Sequence, residues 1–188
     1  MRPGSILAPL LLAAALASHG AAAETTPVEV RLGLLWPDLG PPGSRLPGSD
    51  VNAELLFGPA GSDWAMGLPG WLRWAAAPRL DVGGALNSAG ATSQAYAGLT
   101  WTVPLATGLL HQEDGLSVGL SIGPDLLGGP GTPRGLDQGP QLRLGAEIGY
   151  QVTPLVGLFV LFDHVTGGPL VHEADSLNEL GVRVGLHF

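Results

Sequence analysis

The 188-residue sequence has no cysteine, no lysine and only five histidines. It also lacks a second apolar run approaching the roughly 20 residues that a membrane-spanning helix needs. Without cysteine, neither a disulfide framework nor a thiolate-held metal can form, and so few histidines leave little for a metal cluster. No cofactor or metal is expected. Positive charge is scarce as well: eight arginines face 16 acidic residues, which disfavours nucleic acid as a partner. With no helical span beyond the N-terminus, any further embedding in a membrane has to be made by strands.

What the chain has in quantity is glycine (30) and proline (17), together one quarter of its residues. Such a composition approaches the disordered range when no period organises it. The N-terminus is a separate matter. "MRPGSILAPLLLAAALASHGAAAETTP" carries one basic residue (Arg2), a 12-residue apolar stretch from Ile6 to Ala17 and small residues up to Ala23, the pattern of a cleavable secretory signal. Residues 1–23 are therefore expected to be removed, leaving 24–188 as a single domain with seven arginines against 16 acidic residues, a net charge of −9.

From Pro27 onward a period of two takes over. "PVEVRLGLLW" sets Val28, Val30, Leu32, Leu34 and Trp36 against Glu29, Arg31, Gly33 and Leu35, the alternation of a strand with two unlike faces. The pattern returns at Val51 to Phe57, opposite Asn52 and Glu54, and at Leu80 to Leu86, opposite Arg79, Asp81 and Asn87. "SQAYAGLTWTV", "GLSVGLSIG" and "QLRLGAEIGY" repeat it with Ala95 to Val103, Leu116 to Ile122 and Leu142 to Tyr150 as their apolar sets. A seventh strand runs from about Leu155 to Thr166, and an eighth sets Leu180 to Phe188 against Glu179, Gly181, Arg183, Gly185 and His187.

Eight strands of roughly 7 to 11 residues, an even number with a consistent apolar face, fit an all-β, eight-stranded antiparallel transmembrane β-barrel. A soluble sandwich alternates in the same way. Three features favour the barrel: a secretory signal without cysteine, a second face rich in small Gly and Ser as a narrow interior requires, and a final apolar-face Phe188. Trp36, Trp101 and Tyr150 near strand ends, with Trp71 and Trp74 in a connection, suit interfacial girdles. With both termini periplasmic, the outer loops fall at about 37–50, 88–93, 124–140 and 165–177, and the periplasmic connections at 58–78, 104–115 and 151–154. An interior of this size is filled by side chains rather than open.

Parity on the seventh strand places His164 and Thr166 with Val156, Leu158, Val160 and Phe162. On the eighth, Asn178 joins the face of Leu180. An ionisable side chain on a lipid-facing wall is costly and points to function. The two strands are antiparallel neighbours, so His164, Thr166 and Asn178 can meet at outer-leaflet level as base, nucleophile and orienter for attack on a lipid ester. A plain reading also stands: His164 at the polar interface, Thr166 as a strand-end hydroxyl and Asn178 as a strand start. His172, Glu173 and Asp175 read as solvated surface rather than a metal site.

"FDHVTGGPLVHEADSLNELGVRVGLHF", with "DVNAELLF" and "LNSAGATSQAYAGLTW", resembles the PagL-type lipid A 3-O-deacylase family, also labelled acyloxyacyl hydrolases. The resemblance runs from about Glu29 to Phe188. It implies an eight-stranded barrel in the outer membrane of a Gram-negative bacterium, with lipopolysaccharide, through its lipid A, as substrate and no cofactor. The family motif of His, any residue, Ser, Asn, then an acidic residue ahead of Gly-x-Arg places the catalytic histidine at His164, the serine position at Thr166, the asparagine position at Gly167 and the acidic position at Asn178, with Glu179 adjacent. Only the histidine is unchanged. The amides of Gly167 and Gly168 are then the candidate oxyanion donors, and Glu179 replaces Asn178 as orienter if the strand start is bulged. Two functions follow: an esterase that removes an acyl chain from lipid A, or a catalytically inactive small barrel with a structural or lipid-binding role.

Overall fold

The computed structural model describes residues 27–37, 46–59, 67–69, 77–133, 136, 139–167 and 176–188. The expected signal segment, Trp71, Trp74, Gly168, His172, Glu173 and Asp175 lie outside these residues. The elements are β1 (Pro27–Pro37), β2 (Asp50–Pro59), β3 (Arg79–Asn87), β4 (Ser93–Thr107), β5 (Gly115–Gly128), β6 (Gln141–Thr153), β7 (Val156–Thr166) and β8 (Ser176–His187). Each strand pairs antiparallel with the next, and β1 pairs with β8 from Glu29↔His187 to Pro37↔Glu179, closing an eight-stranded barrel. Closure leaves no free first or last strand.

The period of two decides what each face meets. Leu32, Leu34, Val51, Leu55, Leu120, Ile122, Ile148, Leu158, Val160, Val182 and Val184 are exposed on the outside, whereas Glu29, Arg31, Asn52, Glu54, Asp81, Arg143, Asp163 and Arg183 are buried inside. That distribution is inverted relative to a soluble sandwich. A continuous apolar belt of this kind exceeds what a water-soluble monomer exposes, and hydrocarbon is its matching solvent. Trp36, Trp101 and Tyr150 are outward-facing by the same parity, Trp36 toward one rim and the other two toward the rim that carries Phe188.

Inside, arginines pair with carboxylates across the barrel. Arg31 binds Glu29 (2.6 Å) and Glu147 (2.7 Å), Arg183 binds Glu54 (3.0 Å), and Arg143 binds Asp163 (2.9 Å). Such pairs recover part of the desolvation cost of burial, and among the described residues Arg143 Nε and Arg183 Nε make no hydrogen bond. Here the guanidinium of Arg143 lies over the Tyr96 ring (3.8 Å) and that of Arg31 over Phe159 (4.0 Å). The interior glycines make room for these large groups: a Cβ at Gly83 would stand 2.6 Å from Tyr96, one at Gly119 2.5 Å from Glu147, and one at Gly185 2.7 Å from Phe159. Between Arg31, Glu54, Arg143 and Arg183 a cavity of about 10 Å³ remains, room for about one water molecule.

Strand ends differ from the sequence expectation at the prolines. Strands reach 15 residues in β4 and 14 in β5, so the connection expected at 104–115 shrinks to 108–114 and the loop expected at 124–140 begins after Gly128. Pro104 continues β4 beyond the point where β3 begins, at Arg79 opposite Thr100, so among the described residues no β3 ladder calls for its amide. Pro124 stays in β5 by pairing with Leu142 of β6, while the ladder toward β4 skips from Tyr96↔Asp125 to Leu99↔Ile122. The remaining connections also tighten, with β7 and β8 approaching to Thr166 and Ser176.

Candidate functional site

The outward wall of β7 and β8 changes character near the rim opposite Phe188. From the Phe188 end it reads Leu158 opposite Val184, Val160 opposite Val182 and Phe162 opposite Leu180, then His164 opposite Asn178 and Thr166 opposite Ser176. On the β6 side, Leu144 stands opposite His164 and Leu142 opposite Thr166. Four polar side chains thus occupy the last two outward-facing rungs of one strand pair, bordered by leucines and a phenylalanine.

His164 Nδ1 lies 2.8 Å from Asn178 Oδ1. An amide oxygen only accepts, so this contact requires a proton on Nδ1, and in the neutral ring Nε2 then carries the lone pair. That is the tautomer a general base needs. His164, Thr166 and Asn178 are all half-buried, while Ser176 is exposed. Among the described residues no hydrogen bond joins Thr166 to His164; they are successive outward positions on one strand, with Val165 between them pointing inward.

Gly167 follows the last residue of β7 and is half-buried. The placement of Gly168 lies outside the described residues. Glu179 is corrected as an alternative orienter. The pairing of β7 with β8 is unbroken from Val156↔Leu186 to Thr166↔Ser176, so no bulge rotates Glu179 outward. Its side chain is fully buried in the barrel, where it accepts a hydrogen bond from Gln94 Nε2 at 2.5 Å.

Ser176 is the site residue that sequence reasoning missed. The signal was present: pairing His164 with Asn178 in an antiparallel hairpin forces residues two steps outward, Thr166 and Ser176, to pair as well.

The inner face of these same rungs is apolar. Val165 and Leu177, which pair with each other, pack with Leu127 and with Leu136 of the β5–β6 connection, and Leu46 packs against the group. Among the described residues no cluster of three or more His, Cys, Asp or Glu is arranged to hold a metal ion.

No protein-family model matches the chain, and no curated protein matches it. Solved structures do. The outer membrane enzyme PagL shares the fold at a TM-score of 0.60 and 12% identity, over 85% of this chain and 99% of that one. Neisserial surface protein A (NspA) is similar at a TM-score of 0.47 and 15% identity, over 85% of this chain and 96% of that one.

Proposed function

We propose that this protein is an outer-membrane esterase that removes an ester-linked acyl chain from lipid A of lipopolysaccharide. The observation that carries the reading is the His164–Asn178 hydrogen bond on an otherwise apolar outward wall. An ester in the surrounding lipid layer reaches that wall directly, with no entry path to open. The fold shared with an outer membrane enzyme is consistent with this setting.

In this mechanism Thr166 Oγ attacks the ester carbonyl while His164 Nε2 takes its proton. Asn178 holds the ring in the required tautomer. The tetrahedral oxyanion is met by the Gly167 amide, and collapse of the intermediate expels the sugar alcohol, protonated by His164. A water molecule, deprotonated by the same nitrogen, then hydrolyses the acyl-threonine and releases a fatty acid. An acidic orienter would stabilise the imidazolium more than the neutral Asn178 does, which points to slow turnover.

Mass spectrometry of lipid A from cells with and without the protein tests the proposal: the expected result is loss of one acyl chain. An unchanged profile with folded barrel present overturns it and leaves the second reading, a non-catalytic lipid-binding barrel, favoured by Gly167 at the position where the family motif carries asparagine. Thr166→Ala is expected to abolish release and Thr166→Ser to keep or raise it. Retention in Thr166→Ala with loss in Ser176→Ala would move the nucleophile across the rung.

A further inference from the structure

We propose that Leu136 is a positioning residue for the site, acting from the opposite side of the barrel wall; this rests on the esterase reading. The side chain is fully buried and packs with Val165 and Leu177. Those two residues occupy the rung between His164↔Asn178 and Thr166↔Ser176. In a strand successive side chains alternate faces, so the backbone that presents all four outward polar groups is seated on Leu136 from within. Thr166↔Ser176 is the last rung of the pair, and terminal rungs open most readily unless packing holds them.

Leu136 is itself held in place. Its amide donates to Pro133 O (3.1 Å), and its carbonyl accepts from Gln141 Nε2 (3.1 Å), which also donates to Gly139 O (2.9 Å). Gln141 is buried on the inner face of the first rung of β6. The β5–β6 connection therefore delivers one apolar side chain to the inside of the β7–β8 end and anchors it there. Beneath it the inner wall turns polar with Asp163, Glu179 and Gln94, so Leu136 and its neighbours form the apolar cap of the interior at this rim.

The test uses the whole barrel in detergent micelles and compares wild type with Leu136→Ala and the milder Leu136→Val. Two readouts are taken: kcat and KM for acyl release, and the imidazole ¹⁵N shifts of His164, assigned by comparison with His164→Gln. Heat-modified electrophoretic mobility reports folding. Leu136→Ala is expected to lower kcat on the order of 10- to 100-fold with KM little changed, and to replace the single Nδ1–H signal by exchange-averaged shifts. Leu136→Val is expected to show the same changes in smaller measure, and it decides the matter if the alanine variant does not fold. Unchanged kcat and unchanged His164 shifts in a folded variant overturn the positioning role. An inactive wild type whose Nδ1–H signal is nevertheless lost in Leu136→Ala would overturn the esterase reading and leave the positioning of His164 standing.

Discussion

Polar side chains stand on both sides of this barrel wall, in two different conditions. Inside, Arg31, Arg143 and Arg183 each meet carboxylates or an aromatic ring contributed by other strands. Outside, His164, Thr166, Ser176 and Asn178 share one hydrogen bond, between His164 and Asn178, and stand beside Leu142, Leu144, Phe162 and Leu180. The inner groups answer a structural need: a narrow barrel must be filled, and its buried arginines must be matched. The outer ones neither fill the interior nor match its charges, and they stand at the end of a wall that is otherwise apolar. A polar group that the fold does not require is the stronger pointer to chemistry.

The comparison breaks most directly by exchanging one residue from each set. His164→Leu removes the base, so acyl release measured by lipid A mass spectrometry is expected to fall by roughly 10²- to 10⁴-fold, with the unfolding midpoint in urea unchanged or raised. Arg183→Leu should do the reverse. It leaves the buried Glu54 carboxylate without its 3.0 Å partner, a loss of about 3–5 kcal/mol in barrel stability, while activity per folded molecule stays near wild type. If Arg183→Leu lost activity at full stability, the interior would be part of the catalytic machinery and the division would fail.

The division was largely legible in the sequence. The period of two assigned Arg31, Glu54, Arg143 and Arg183 to one face and Leu32, Val51, Leu144 and Val182 to the other, and the barrel observes that assignment throughout. It could not name partners. Arg31 meets Glu147 from 116 residues away, a pairing that depends on which strands lie across the barrel. The strand ends expected before Pro104 and Pro124 fell short, because each proline continues its strand where the described ladder does not call for its amide. For the site, parity alone put His164, Thr166 and Asn178 on one wall. The exact register was needed to exclude the bulge that would have turned Glu179 outward, and to bring Leu136, from a loop with no periodic signal, beneath them.

A smaller effect sharpens the contrast in terms of space rather than charge. On the inner wall a Cβ at Gly83 would stand 2.6 Å from the Tyr96 ring, whereas one at the outward-facing Gly128 would meet nothing within 4 Å. Gly83→Val is expected to cost about 1–3 kcal/mol, because the ring is boxed in by neighbours and has nowhere to go. Gly128→Ala is expected to stay within about 0.5 kcal/mol of wild type. Urea titrations of both variants check this. Equal costs would mean that the interior yields as readily as the surface.

The smallest expected effect concerns a polar group outside the strand belt, in the β4–β5 turn. The buried Asp114 carboxylate accepts hydrogen bonds from the Tyr150 hydroxyl (2.5 Å) and from the amides of Leu109 (2.6 Å), Leu110 (2.7 Å) and His111 (3.0 Å). Gly108, at a φ of +69°, turns the chain so that its own amide reaches Asp114 O. The Tyr150 bond first, then the amides, hold the Asp114 carboxyl well below the usual carboxylate range. A pKa lowered in the folded state stabilises the turn above the unfolded value of about 3.9, and that contribution is lost as pH falls further, through the folded value. Amide protection of Leu109 and Leu110, followed by hydrogen exchange, should therefore exceed that of Asp114→Asn by a constant factor at neutral pH, and the gap should narrow only below about pH 4. Global stability should barely move, since the hairpin end can open while the barrel stays closed. A gap that persisted undiminished at strongly acid pH would show that the turn is held by hydrogen-bond geometry alone, and that charge contributes as little outside the strand belt as it contributes much within the barrel.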